Sequence, residues 1–281
     1  MVNVTRLPGL DVWWTGWRSS IQYAQARFQD GYPFVVRGEH TILCLLSKVG
    51  STSWHRALLR ALPGNSGYSK SLHIVDYPPT TRLSGTAWQA LIASSVPRVI
   101  IIRNPYERLL SAYLNKVSGK QSFFTPYGFR FDGTGNDTKH IFANFVHAVT
   151  QPDPYSYLPE HLREAVWDHF RPQSSQCELR RGFSYDYVLP VEQMSLWFSP
   201  LARVLHLETE AHWIRSGIRS SSRKLDDYYT ADTIATVSNY SAGDLAKFCY
   251  PRWEPTLTSG ATYVDMLSHV NSFRICAHLL E

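Results

Sequence analysis

"TILCLLSKVGSTSWHRALLRAL" (residues 41–62) changes its pattern part-way along. Residues 41–46 are an unbroken apolar run of strand length, which is typical of a strand that is buried on both faces. In residues 53–62 the apolar side chains recur at helical spacing, so that Trp54 and Leu58 share one face. The stretch therefore predicts a strand, a short loop and a helix.

A second strand and helix are predicted in "RVIIIRNPYERLLSAYLNKV" (residues 98–117). Residues 98–103 are rich in β-branched side chains without alternation, as in a covered parallel strand. Asn104 as N-cap with Pro105 at the first helical position favours a helix start. Strands that alternate with helices predict an α/β fold, a central parallel sheet flanked by helices.

The remainder of the chain carries weaker signals. With 281 residues, 44% of them hydrophobic, the chain can bury the core of a single domain, which we place at residues 41–281. We expect residues 1–40 to be an irregular segment packed on that core. Helices are expected over residues 139–149, 158–170, 192–198 and 230–248, and a short strand over residues 202–208.

The four cysteines lack the CxxC spacing of a structural zinc site, so no metal site is predicted. Cys44 is expected to be a buried thiol within its strand. The pairing of Cys177 is left open.

The loop "SKVGST" (residues 47–52) lies where an open α/β sheet binds ligands, beyond the carboxyl end of a strand. Gly50 allows close approach of the backbone, and successive N–H groups and hydroxyls at a helix start can bind a phosphate. Lys48 adds a full positive charge. Considered without the rest of the sequence, the loop is explained equally well as an ordinary turn with a surface lysine.

The loop is not a Walker A motif, which reads GxxxxGK[ST], because Lys48 precedes Gly50. This difference disfavours an ATPase. A P-loop-like nucleotide kinase is kept as an alternative, although it would need magnesium and a Walker-type lysine that this loop does not offer.

The second predicted strand also ends in a cation, Arg103, and Ser111 follows on the next helix. Arg108 is three residues before Ser111 and so shares its helical face. An arginine fork and a serine hydroxyl can form a second anion site. Two such sites suggest a nucleotide that is phosphorylated at both ends of its ribose.

At these residues the chain resembles a known family. "SKVGSTSW" (47–54) resembles the 5′-phosphosulfate loop, and "RNPYERLLSAYLNK" (103–116) the 3′-phosphate motif, of carbohydrate sulfotransferases that use 3′-phosphoadenosine-5′-phosphosulfate (PAPS). The similar branch contains the chondroitin, dermatan and HNK-1 enzymes. In its second motif only Asn104 departs from the usual acidic residue, and asparagine caps a helix equally well. Segments 168–177 and 239–250 resemble later parts of the same branch.

The resemblance implies a role for each motif. The 5′-phosphosulfate would be held by Lys48, Val49, Gly50, Ser51, Thr52 and Ser53, with Lys48 also catalytic. The 3′-phosphate would be held by Arg103 and Ser111, and a basic loop would contribute Arg219, Arg223 and Lys224. Sulfuryl transfer by such residues requires no metal.

A histidine is the usual base near neutral pH for deprotonating an acceptor hydroxyl. His73 matches, by resemblance, the catalytic histidine of uronyl 2-O-sulfotransferases. His169 is the second candidate and Glu192 a lesser one. A merely structural role for His73 stays open.

The net charge of +5 and the pI of about 9.0 favour polyanionic partners. With the two motifs, we expect PAPS as cosubstrate and a glycan or acidic polysaccharide as acceptor, rather than nucleic acid. A non-catalytic polyanion-binding protein of the same fold is a further alternative.

The resemblance implies a Golgi type II membrane protein with a luminal catalytic domain. Neither an anchor nor a signal peptide is visible, so a soluble or truncated form is also open.

Overall fold

The computed structural model describes residues 23–27, 33–37, 41–60, 81–82, 97–118, 137–153, 167–177, 179, 183–212, 214 and 225–253. The strands Thr41–Leu45, Arg98–Ile102 and Tyr187–Pro190 are each followed by a helix, and the α/β class is confirmed. The chain divides into two compact units, the first from Met1–Ile102 and Ser175–Arg219, the second from Arg103–Ser174 and Ser220–Leu279. Among the described residues, no helix has both the length and the apolar character that a membrane span requires.

The first unit contains a six-stranded sheet in the order β4-β1-β2-β3-β5-β6. Its strands are β1 (Tyr23–Arg27), β2 (Pro33–Arg37), β3 (Thr41–Leu45), β4 (Thr81–Arg82), β5 (Arg98–Ile102) and β6 (Tyr187–Pro190). Strands β3, β5 and β6 are parallel, with Leu43 opposite Val99 and Ile101 opposite Leu189. The side chains from Ile42 to Leu45 are buried, as the unbroken apolar pattern predicted.

Strands β1 and β2 extend the parallel part of the sheet. Strand β2 runs antiparallel to β3, and β1 antiparallel to β2. Both strands lie within residues 1–40, where the sequence pattern suggested irregular structure, and sequence analysis missed them. The domain boundary at residue 41 stays a prediction.

Two helices of the first unit are α1 (Ser51–Arg60) and α4 (Met194–Val204). Trp54 of α1 is fully buried and packs against Trp197 and Phe198 of α4, with ring centroids 6.3 and 5.7 Å apart. This aromatic contact fixes α1, and with it the loop that precedes α1.

Residues 202–208 do not form the expected strand. Helix α4 continues to Val204 and is followed by turns. The buried side chains Phe198, Leu201, Ala202 and Leu205 are spaced as on one helical face, which explains the error.

The expectation of a thiol at Cys44 is also wrong. Cys44 forms a disulfide with Cys177, whose Cα atom is 6.5 Å away. The two cysteines are 133 residues apart in sequence, and no local pattern connects them.

The described part of the second unit is helical and has an aromatic core. Its helices are α2 (Pro105–Lys116), α3 (Thr138–Val149), α5 (Leu225–Tyr228), α6 (Ala231–Tyr240) and α7 (Ala242–Lys247). The expected helix over 139–149 is confirmed, and the expected helix over 230–248 is divided at Ser241. Phe142 of α3 packs edge-on against Tyr113 of α2, at 5.1 Å, and against Tyr229, at 4.8 Å.

Candidate functional site

The turn between β3 and α1 contains the predicted anion-binding loop. Lys48 and Gly50 both have left-handed backbone conformations, with φ of 74° and 85°. Such a conformation is unusual for lysine and marks a tightly constrained turn. Val49, between them, is fully buried and anchors the turn in the core.

Helix α1 begins at Ser51, immediately after this turn. Its first hydrogen bonds run from the N–H groups of Ser53 and Trp54 to the Gly50 carbonyl, at 2.9 and 3.2 Å. The earliest N–H groups of a helix have no acceptor within the helix, and the helix dipole is positive there. The described first turn of α1 contains no acidic residue. This end of α1 therefore favours an anion.

The second motif, in the second unit, starts helix α2 as the sequence predicted. The Asn104 side-chain oxygen accepts hydrogen bonds from the N–H groups of Tyr106 (3.0 Å) and Glu107 (3.3 Å), with Pro105 at the first helical position. Asparagine therefore caps this helix in place of an acidic residue.

Arg103, just before the cap, is almost fully buried. Its guanidinium lies 3.2 Å from the Glu107 carboxylate, one helical turn along. Burial raises the pKa of Glu107, and the Arg103 guanidinium offsets part of that rise. Ser111 is half-buried and stands a further turn along the same face. Glu107 and Ser111 thus lie on one side of α2, and Arg103 pairs with Glu107 from just before the helix. The sequence analysis overlooked Glu107, although its spacing from Arg103 is that of an i,i+4 ion pair.

Arg108 does not take the role suggested by its position on the face of Ser111. Its guanidinium donates to the backbone carbonyls of Arg171 (2.8 Å) and Asp168 (3.1 Å). These two bonds hold the 168–171 segment against α2. Arg108 is therefore a structural arginine.

The other predicted residues are divided between described and undescribed segments. His169 is half-buried in a helical turn formed by residues 167–170, with its ring beside that of Phe170 at 6.5 Å. Glu192 is half-buried in a 3₁₀ turn after β6. His73 lies outside the described residues, as do Arg219, Arg223 and Lys224. Within the described parts of the chain, no cluster of three or more His, Cys, Asp or Glu side chains could hold a metal ion.

Comparison with protein families decides the class. A family model described as the sulfotransferase family matches residues 32–243, well over half of the chain. The chain belongs to the sulfotransferase family. Comparison with curated proteins and with solved structures gives no significant match. Membership makes the chain a transferase, and the matched range of this sulfotransferase includes both predicted anion-binding motifs, at residues 47–54 and 103–116.

Proposed function

We propose that this sulfotransferase is a carbohydrate O-sulfotransferase, which transfers sulfate from PAPS to a sugar hydroxyl of a glycan or glycosaminoglycan. One observation carries the proposal: two strand-to-helix junctions each join a cation to a helix start, Lys48 to α1 and Arg103 to α2. PAPS has phosphate groups at both ends of its ribose, so it matches two separate anion sites. The resemblance of both motifs to the chondroitin, dermatan and HNK-1 branch supports a carbohydrate acceptor.

The loop Lys48–Ser53 suits the 5′-phosphosulfate in the manner of a P-loop. Its backbone is left-handed at Lys48 and Gly50, and α1 begins directly after it at Ser51, where the first N–H groups of a helix can bind an anion. The hydroxyls of Ser51 and Thr52 add hydrogen-bond donors, and Val49 keeps the turn rigid.

The start of α2 suits the 3′-phosphate. Arg103 offers a guanidinium fork and Ser111 a hydroxyl, both charge-compatible with a phosphate dianion. Glu107 holds the Arg103 guanidinium by one nitrogen, which restricts its orientation. The basic residues Arg219, Arg223 and Lys224, outside the described residues, are proposed to cover the donor.

PAPS supplies the sulfuryl group when bound. Lys48 stabilises the negative charge that develops on the departing 5′-phosphate oxygen, an electrostatic role typically worth about 10² to 10³ in rate. A histidine, His73 or else His169, accepts the proton of the acceptor hydroxyl. The products are a sulfate ester and 3′-phosphoadenosine-5′-phosphate (PAP).

A Golgi luminal location is proposed from the same resemblance. The Cys44–Cys177 disulfide supports it, because disulfides form and persist in oxidising compartments such as the secretory pathway.

Calorimetry with PAP, adenosine 5′-phosphate (AMP) and ATP with magnesium tests the donor class. We expect PAP to bind more tightly than AMP by at least about tenfold, without magnesium. Tight magnesium-dependent ATP binding with weak PAP binding would instead indicate a nucleotide kinase. Binding of acidic polysaccharide without PAP binding would indicate a non-catalytic polyanion-binding protein.

A further inference from the structure

Gln173 binds both backbone polar groups of Arg103. Its side-chain oxygen accepts from the Arg103 N–H at 2.9 Å, and its side-chain nitrogen donates to the Arg103 carbonyl at 2.7 Å. The pair resembles one rung of a β-ladder, with a side-chain amide in place of a neighbouring strand. Gln173 is completely buried and Arg103 nearly so, and water competes little for these bonds.

Asp244 of α7 holds Gln173 in turn. Its carboxylate accepts from the backbone N–H groups of Gln173 (2.8 Å) and Ser174 (2.6 Å). The same carboxylate lies 3.4 Å from the Gln173 side-chain nitrogen. Next to it, a Cβ at Gly243 would lie 2.8 Å from the Ser174 hydroxyl, so α7 and residues 173–174 are in close contact.

These bonds act on Arg103, a residue that belongs to neither a strand nor a helix. The last pair of β5 with β6 is Ile102 with Pro190, and α2 begins at Pro105. Arg103 therefore lies between the ladder of β5 and the first turn of α2. The conformation of its backbone sets the direction of its side chain, and Gln173 restrains that backbone from both its N–H and its carbonyl group.

We propose that Gln173 and Asp244 are positioning residues for Arg103, which direct its guanidinium toward the 3′-phosphate of the donor. The inference rests on the proposed function, which assigns the 3′-phosphate of the donor to Arg103. It also gives a role to one residue in each of two distant segments that resemble the same branch, Gln173 in 168–177 and Asp244 in 239–250.

The test compares Gln173→Met and Asp244→Asn with Ser238→Ala. Methionine fills a similar volume without the two hydrogen bonds. The control removes another buried hydroxyl of the same unit. The Ser238 hydroxyl donates to the Ile234 carbonyl (2.6 Å) and accepts from the Tyr106 hydroxyl (2.6 Å), and neither bond involves Arg103. Two readouts are taken: hydrogen exchange at the Arg103 amide, and the ratio of the Kd for AMP to the Kd for PAP.

For Gln173→Met we expect about tenfold faster exchange at the Arg103 amide and about a tenfold smaller Kd ratio, with AMP binding unchanged. Asp244→Asn should change both in the same direction by less, and Ser238→Ala should change neither. If Gln173→Met does not fold, Gln173→Glu replaces it. A glutamate carboxylate keeps the acceptor for the Arg103 N–H and loses the donor to the Arg103 carbonyl, and we expect a smaller ratio of the Kd for AMP to the Kd for PAP.

A normal Kd ratio in folded Gln173 variants would overturn the inference and leave the proposed function intact. An equal loss of the ratio in Ser238→Ala would also overturn it, because the effect would then be general destabilisation. A chain without substitutions that binds AMP and PAP equally would contradict the 3′-phosphate assignment itself, and the proposed function with it.

Discussion

The Arg103 guanidinium and the Glu107 carboxylate form a buried ion pair at 3.2 Å, at the start of the helix that bears Ser111. A buried arginine next to a carboxylate is partly neutralised and held in one orientation. A phosphate that binds there must share the guanidinium with Glu107. If Arg103 binds the donor as proposed, donor recognition and the stability of the start of α2 depend on the same pair.

Arg103→Ala should weaken PAP binding far more than AMP binding. A charge-assisted hydrogen bond contributes about 1.5 to 3 kcal/mol, so the Kd for PAP should rise roughly 10- to 150-fold. Calorimetry with both nucleotides measures the difference. The exposed Arg203→Ala is the control and should leave both affinities unchanged.

Removing Arg103 alone leaves the Glu107 charge buried without its cation, which destabilises the fold. The double variant Arg103→Met with Glu107→Gln removes both charges and separates stability from recognition. It should lose PAP selectivity as the single variant does. Equal losses of PAP and AMP affinity in both variants would contradict a 3′-phosphate site at Arg103.

The pH dependence of stability provides a second check on Glu107. Its pKa in the folded chain is raised above the ordinary value of 4.5, chiefly by burial. The folded state therefore binds the proton more tightly than the unfolded state does. The stabilisation from this proton is fully present below pH 4.5 and is lost as the pH rises through the raised pKa.

The test compares the free energy of unfolding of the unsubstituted chain with that of Glu107→Gln. The first value minus the second should fall as the pH rises above 4.5. Urea titrations of both proteins at several pH values measure this difference. A difference that rises with pH would mean that Arg103 outweighs burial at this site.

Lys48 should matter for catalysis more than for donor binding. Lys48→Ala should reduce kcat by about 10² to 10³ with a modest change in the donor Kd. Because Lys48 has a left-handed backbone, Lys48→Gly removes the same charge without backbone strain. Equal losses in the two variants would assign the effect to the ammonium group.

Lys139→Ala, which removes an exposed lysine on α3, should retain normal kcat. A Lys48 variant with normal kcat and only a raised KM would show that the lysine is a binding residue.

The two histidine candidates predict different pH profiles. If His73 is the base, His73→Ala should lower the rate by about 10² to 10⁴ and abolish the decline of kcat/KM at acidic pH, with donor affinity intact. Near-normal turnover of His73→Ala, together with loss of activity in His169→Ala, would assign the base to His169. Initial rates between pH 5 and 8 cover the range around the reference histidine pKa of about 6.5.

The Cys44–Cys177 disulfide should stabilise the first unit. The double variant Cys44→Ala with Cys177→Ala should lose about 2 to 5 kcal/mol of unfolding free energy. Peptide mapping of non-reduced protein should find the two cysteines in one cross-linked fragment. Alkylation of both cysteines in denatured, non-reduced protein would show that this bond is absent.

Local patterns predicted the elements around the two motifs. The apolar run at residues 41–46 and the Asn104–Pro105 start of α2 depend on neighbouring residues alone, and both appear in the structure. The motifs could be found for the same reason, since each is a short contiguous stretch.

The features that sequence analysis missed depend on long-range contacts. Gln173 is 70 residues from Arg103 and 71 residues from Asp244 in sequence. Glutamine and aspartate side chains can bind many partners, so no local pattern identifies these contacts. Strands β1 and β2 lack a clear alternating pattern and are defined by pairing with β3. The apolar residues 202–208 fitted a strand as well as the end of a helix until packing decided between them.

The most direct test of the proposed carbohydrate sulfotransferase activity is transfer of ³⁵S from labelled PAPS to a panel of desulfated glycosaminoglycans and neutral glycans, with Lys48→Ala as the matched blank. We expect acceptor-dependent, metal-independent incorporation of label into at least one glycan, with release of PAP, and at least about a hundredfold less with Lys48→Ala. Label that reaches no glycan although PAP binds tightly, or equal incorporation by Lys48→Ala, would contradict it.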